Sequence, residues 1–482
     1  MIFNSFEFAI FFIIVTTLYF LFSHRHRWWL LLISSCYFYM AFVPVYITIL
    51  GFTLVIDYIA GMYIGKSEGK RRKLYFFMSL LANIGILVVF KYYNFFIENM
   101  NAFAGAAGYD ASLSPLNMLL PIGLSFHTFQ AMSYTFEVYR GNYQPERHFG
   151  IYALYVMFYP QLVAGPIERP QNILHQFKRV HQFDYQRVVS GLQLMAWGLF
   201  KKVVIADRLS VLVDRVYEHP REYNSCGLIL ATFFFCYQIF CDFSGYTDIA
   251  RGAARVMGFS LVKNFNRPYN AKSVADFWSR WHISLSTWFR DYLYIPLGGN
   301  RVAIPRWYLN LFIVFMVSGL WHGANWTFIV WGALHGVYLV SGLITRRFRD
   351  KVSSRLPIAN SNGIKVITTF TLVAFAWIFF RANNIHDAAY VAKQVITGIP
   401  NAVRHFRDTF NYDYGMPLTE IMACFGLIAF LEFIQSVQKH KDIPGWLQTV
   451  PRPVRWSIYL TLILAILSYG VFTDKQFIYF QF

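Results

Sequence analysis

Apolar runs close to twenty residues long, separated by short basic links, set the pattern of this chain. MIFNSFEFAIFFIIVTTLYFLF opens it, residues 28–43 and 45–65 follow as a pair around Pro44, and 74–93 comes next. Later runs occupy 307–320, 326–343, 364–380, 418–433 and 456–472. Runs of this length and composition predict transmembrane helices. The first has no basic leader and no small-residue cleavage site, so it reads as a span rather than a signal peptide. Three segments fit poorly as simple spans. Residues 117–139 carry His127, Gln130 and Glu137, residues 149–164 run into Gly165-Pro166, and residues 191–213 hold Lys201-Lys202 near their middle. Paired lysines at mid-bilayer must face protein or a water-filled cavity. At least one of the three is expected to be re-entrant or to line an internal cavity. The predicted fold is an all-α polytopic membrane bundle, one domain over 1–482. It has about ten to twelve transmembrane helices plus re-entrant and interfacial ones around a central channel.

Composition agrees. The 482 residues are 56% hydrophobic, 20% aromatic and only 14% charged, where a soluble chain is nearer a quarter charged. The formal net charge of +18 would suggest nucleic acid in a soluble protein. Here the basic residues sit between apolar runs, which is the positive-inside bias. Arg25 and Arg27, the KSEGKRRK link at 66–73, 346–351 and 439–455 are therefore expected in the cytoplasm, with both termini outside. The five cysteines form no CxxC and no paired spacing, so neither a disulfide framework nor a metal site is indicated.

The chemistry concentrates in 273–323, which carries two Trp-His pairs, Trp281-His282 and Trp321-His322. Ser273 with Asp276 three residues on resembles a capped helix start. Trp278, His282, Leu285 and Phe289 follow on one helical stripe, with Arg280, Ser284, Thr287 and Asp291 opposite, as in an interfacial helix. His322 lies about 24 Å beyond Arg306 if the run between them is helical. An ionisable group that deep is a functional candidate, against the plainer reading of a hydrogen-bonded core histidine. Residues 251–307 hold nine basic residues against Asp276 and Asp291. That is a topology signal and, more sharply, an electropositive mouth for an anionic donor, with Arg280, Arg290 and Arg301 beside the histidines. No GxSxG, HExxH or P-loop occurs.

Five stretches carry a family resemblance: DFWSRWHISLSTWFRDYLYIPLGGNR (276–301), GLWHGAN (319–325), YQIFCDFSGYTDIA (237–250), LPIGLS (120–125) and QLVAGPIER (161–169). Together they resemble the signature region, about 120–325, of the membrane-bound O-acyltransferase superfamily, in the bacterial branch of alginate O-acetyltransferase membrane subunits. The resemblance implies His322 as general base or transient acyl acceptor and His282 as second catalytic or orienting group at the donor channel. It implies supporting places for Trp281, Trp321, Asn325 and Asp242, the last as a histidine orienter or, equally, a helix-capping or structural aspartate. His127 and His335 read as structural. It implies no bound cofactor beyond the acyl donor, acetyl-CoA or another acyl thioester on CoA or a carrier protein at the cytoplasmic side. The implied acceptor is an extracytoplasmic polysaccharide of alginate, cellulose or peptidoglycan type, reached through a periplasmic esterase-like partner at the inner membrane. The C-terminal tail, 473–482, ends in FIYFQF. It resembles the tail of a small peptide of teichoic-acid D-alanylation, which makes Tyr479 a candidate acyl relay rather than only part of an interfacial belt. D-alanyl transfer is the alternative within the family; a transporter or flippase without covalent chemistry is the alternative outside it.

Overall fold

The computed structural model describes all residues except 110–112, 117–120, 356–359, 401–407, 410–411, 441–442, 473–476 and 479–482. Tyr479 and Leu120 of the motifs above lie outside the described residues. Among the described residues every regular element is helical. The chain divides into two compact units, 1–195 with 246–262, and 196–245 with 263–482.

In the first unit, α1 (Phe6–Leu21) starts at Ser5, whose hydroxyl accepts the Phe8 amide at 3.2 Å. α2 (His24–Met40) and α3 (Tyr46–Lys66) follow on either side of Pro44. α4 (Gly69–Leu87) passes through a π turn, Val88–Tyr92, into α5 (Tyr93–Ala106). Helix therefore continues well past the end of the apolar run 74–93. α6 (Leu124–Arg140) is buried on nearly every side, which explains why it carries polar residues yet no clean apolar face. Asp57 ties α3 to its neighbours: it accepts from Ser79 at 2.6 Å and from Asn83 at 2.8 Å, and Ser79 bonds Thr135 of α6 at 3.1 Å.

α7 (Phe149–Met157) has nine residues, about 13 Å of helix, too short for a ~30 Å hydrocarbon core. Of the three ambiguous segments this one cannot span. The loop after it is pinned by side chains. Gln130 donates to the Tyr155 carbonyl at 3.2 Å and accepts the Glu168 amide at 2.8 Å. Glu168 accepts the Val262 amide at 2.6 Å, and burial pushes its carboxyl up to about 7. Gly123 of LPIGLS packs against this loop: a Cβ there would stand 3.1 Å from the Val163 Cα of QLVAGPIER. His127 lines a cavity of about 10 Å³ there with Gln130 and Gln161, and burial pushes its imidazole down to about 3. α8 (Pro170–Phe177) closes this region.

α9 (Tyr185–Leu199), a π segment at Phe200–Ala206 and α10 (Asp207–Glu218) form one helical stretch of 34 residues. α11 (Ser225–Met257) is a single 33-residue helix, and YQIFCDFSGYTDIA lies inside it. Lys201 and Lys202 are both buried and both partnered by protein. Lys201 donates to Ser244 at 2.9 Å, and Lys202 bridges Asp207 at 2.8 Å and Asp242. This is the internal pairing that mid-bilayer lysines require.

The second unit continues with α12 (Val274–Trp278), α13 (Ile283–Phe289), α14 (Ile304–His322), α15 (Trp326–Ile344) and α16 (Arg346–Arg355). α17 (Asn362–Arg381), α18 (Ile385–Thr397), α19 (Leu418–Gln438), α20 (Ile443–Thr449) and α21 (Arg452–Tyr469) complete it. Across the described residues, eight helices are long and apolar enough to cross a membrane, and α1 is a shorter apolar one.

α14 and α15 meet backbone to backbone. A Cβ on Gly319 would stand 2.4 Å from the Phe328 carbonyl oxygen, and one on Gly332 2.4 Å from that of Phe315. Small residues at such crossings substitute for the hydrophobic drive that lipid does not supply. Gly332→Leu is expected to destabilise the purified protein by roughly 1–3 kcal/mol or more, the usual scale of overpacking. Gly342→Leu on the same helix, with nothing within 4 Å, is expected to melt like wild type. Equal melting temperatures for the two variants would remove the close crossing as a determinant of stability.

Candidate active site

His322 is the last residue of α14, and Gly323 turns the chain out in an extended conformation. Asn325 then caps α15, its side chain accepting the Thr327 amide at 2.9 Å. WHGAN is therefore a helix end, a one-glycine turn and a helix start. It fixes His322 between two helices held together by glycines. The Asn325 side chain works as a helix cap.

The His322 ring is buried among aromatics. Its centroid lies 4.8 Å from Trp321, 4.7 Å from Trp331 and 5.5 Å from Phe380, all near-perpendicular. Nδ1 sits 2.6 Å from the Ser318 carbonyl oxygen, one turn back. A carbonyl only accepts, so Nδ1 carries the proton and Nε2 of the neutral ring carries the lone pair. The helix thus sets the tautomer of the ring it presents.

His282 is placed differently from the sequence expectation. The stripe through Trp278, His282, Leu285 and Phe289 assumed one continuous helix. Instead α12 ends after five residues, Trp281 donates its amide back to Phe277 at 2.8 Å, and His282 takes a left-handed backbone, φ 42°. α13 begins afresh at Ile283, whose amide bonds the Asn264 carbonyl at 2.9 Å, while the Asn264 side chain accepts the Ser284 amide at 3.1 Å. The helix start is therefore satisfied from another segment, and the left-handed residue reverses the chain. As a result His282 is fully buried. Its ring lies 4.7 Å from Phe243 and 6.3 Å from Trp321. Burial first, and the neighbouring His322 second, push its imidazole well below the ordinary histidine range. As pH falls through that range an unfolded chain takes up a proton that the folded site refuses, so acid weakens the fold here.

The two Trp-His pairs, forty residues apart in sequence, meet through Trp321. A third histidine joins them. His335 of α15 accepts the Trp278 indole N–H on Nδ1 at 3.2 Å, which places its own proton on Nε2. Trp331 lies between the two rings, 4.7 Å from His322 and 5.1 Å from His335. The Nε2–H of His335 and the indole N–H of Trp331 are buried with no hydrogen-bond partner among the described residues. His335 reads as structural in sequence, and the structure places it in hydrogen-bond contact with Trp278 and against Trp331. Its i+4 spacing from Trp331, on a helix that follows WHG directly, was the available signal.

The other candidates divide. Trp281 is buried against Phe277, Phe265, Tyr269 and Trp377, as packing. Asp242 orients no histidine: its carboxylate pairs with Lys202 and accepts the Ile478 amide at 2.7 Å. Its α11 neighbour Phe243 is the residue that reaches His282. Arg280 pairs with Asp276 at 2.7 Å and Arg290 with Asp291 at 2.8 Å, so both acidic residues of the basic segment are spent on local pairs. Arg301 is exposed. No cluster of three or more His, Cys, Asp or Glu side chains fit for a metal occurs among the described residues.

The arrangement is a buried imidazole with a fixed tautomer, two buried N–H groups nearby and aromatic walls. Residues 146–382 match the model of the membrane-bound O-acyltransferase family. The chain is 34% identical to a peptidoglycan O-acetyltransferase of Helicobacter pylori over 391 residues, 76% of this chain and 72% of that protein. It is 37% identical to a probable alginate O-acetylase of Pseudomonas aeruginosa, over 74% of this chain and 67% of that one. A teichoic acid D-alanyltransferase of Bacillus subtilis is 26% identical over 56% of this chain and 71% of its own length. With these matches and eight membrane-crossing helices, the chain belongs to the membrane-bound O-acyltransferase family and is a multi-pass membrane O-acyltransferase.

Proposed function

We propose that the protein transfers acetyl from a cytoplasmic thioester, acetyl-CoA or an acyl carrier, to hydroxyls of an extracytoplasmic polysaccharide, with His322 as the base. The observation that carries the reading is the hydrogen bond from His322 Nδ1 to the Ser318 carbonyl, which leaves Nε2 as the proton acceptor. Nε2 takes the proton of the incoming hydroxyl as its oxygen bonds the thioester carbonyl carbon. The tetrahedral oxyanion is held by the N–H groups of His335 and Trp331. The C–S bond then breaks and the imidazolium returns the proton to the leaving thiolate, so no net proton is consumed. The transient imidazolium has aromatic rings within 5 Å on two sides, where cation–π attraction offsets its burial. His282 supports this from behind Trp321, and Arg280, Arg290 and Arg301 form the basic approach for an anionic donor. Tyr479 is the first acceptor, passing acetyl to a separate periplasmic esterase-like partner and so to the polymer. The setting is the inner membrane, with both termini outside. Acetyl is favoured over D-alanyl because the relatives named as O-acetyl enzymes match at higher identity and over more of this chain.

His322→Ala is expected to lower transfer from radiolabelled acetyl-CoA by about 10²–10⁴-fold, the range of general base catalysis, with expression and melting near wild type. Wild-type rates in that variant would sink the assignment.

At His282, asparagine tolerates a left-handed backbone and alanine does not. His282→Asn is expected to fold like wild type and lose most activity. His282→Ala should in addition lose about 1–2 kcal/mol of stability to backbone strain. An active His282→Asn enzyme would make the imidazole dispensable.

Tyr479→Phe keeps the ring and removes the nucleophile. Loss of acceptor acetylation with unchanged membrane insertion is expected. Undiminished acetylation in this variant leaves the tail as an anchor only.

A further inference from the structure

The C-terminal segment does not simply trail from α21. Arg208 donates to the Tyr469 carbonyl at 2.7 Å as that helix ends, and the Val471 amide bonds the Val203 carbonyl at 2.9 Å, inside the π segment 200–206. Further along, Phe477 and Ile478 are buried. Lys202 Nζ stands 4.5 Å from the Phe477 ring centroid, and the Ile478 amide donates to Asp242 Oδ2 at 2.7 Å. The same carboxylate pairs through Oδ1 with Lys202, which also holds Asp207. A backbone N–H bonded to a buried carboxylate is a strong, charge-assisted contact. The Ile478 amide is a further donor to the Asp242 carboxylate, and the Phe477 ring gives Lys202 a cation–π contact. Nothing in transmembrane packing requires a terminal tail to enter such a cluster.

We propose that Asp242, braced by Lys202, is the anchor of the C-terminal tail and so a positioning residue for acyl delivery. The placement is specific. Asp242 faces the tail from the same turn of α11 on which Phe243 lies 4.7 Å from His282. In the sequence, Tyr479 is the residue next after the tethered Ile478. The delivery role rests on the relay reading of Tyr479; the anchor itself does not.

The test uses the full-length protein in detergent with two variants. Asp242→Ala removes the acceptor. Ile478→Pro removes the donor N–H and leaves the buried ion pairs untouched, which keeps the test open if the alanine variant fails to fold. Deuterium uptake by the C-terminal peptide is expected to rise about tenfold to a hundredfold in both, the worth of a charge-assisted hydrogen bond. Acceptor acetylation, relative to thiol released from acetyl-CoA, is expected to fall by about 10²-fold in Ile478→Pro, as for a misplaced reacting group. Unchanged uptake in a folded variant overturns the anchor. Faster uptake with an unchanged delivery ratio overturns the positioning role. Tyr479→Phe run in parallel separates the two ideas: if it delivers normally, the relay reading has failed, whereas loosening of the tail by Ile478→Pro still reads the anchor alone.

Discussion

A histidine that ends an apolar helix has few partners, and here it uses its own backbone. The His322–Ser318 bond settles which nitrogen can act as a base, with no carboxylate and no solvent needed. Everything around it preserves that setting. The glycine crossing fixes α14 on α15, Asn325 starts α15 immediately after the turn, and Trp331 and Phe380 close the walls. A carboxylate orienter of the kind found in serine hydrolases would have had to be desolvated beside the ring. A main-chain carbonyl achieves the same orientation without adding a charge.

Much of this was legible in the sequence, because spans are long-range averages over composition. The runs at 307–320, 326–343, 364–380 and 418–433 became α14, α15, α17 and α19 with ends shifted by a few residues. Lys201 and Lys202 were expected to face protein or a water-filled cavity, and protein side chains partner both. What failed were single-residue events. Periodicity drew a continuous stripe through His282, since an i, i+4 pattern carries no information about one left-handed residue. The broken helix buries that histidine inside the protein. Asp242 reads in sequence as either a histidine orienter or a structural aspartate, and the contacts are those of the second. Its real partners are forty residues before it and 236 after it, and nothing local announces either.

The buried polar groups follow a common logic. Asp57, Glu168 and the Lys202 cluster each join segments distant in sequence, and each is fully or nearly fully buried. In lipid, apolar contact discriminates poorly between one helix neighbour and another, so hydrogen bonds to these groups supply selectivity. The same residues that make the spans irregular therefore make the assembly specific.

The glycine contact between α14 and α15 also has a kinetic side. Where backbones touch there is no layer of side chains to compress or slide, so the base at the end of α14 has little freedom to follow its substrate. A ring held in this way is a fixed point, and whatever meets it has to come to it.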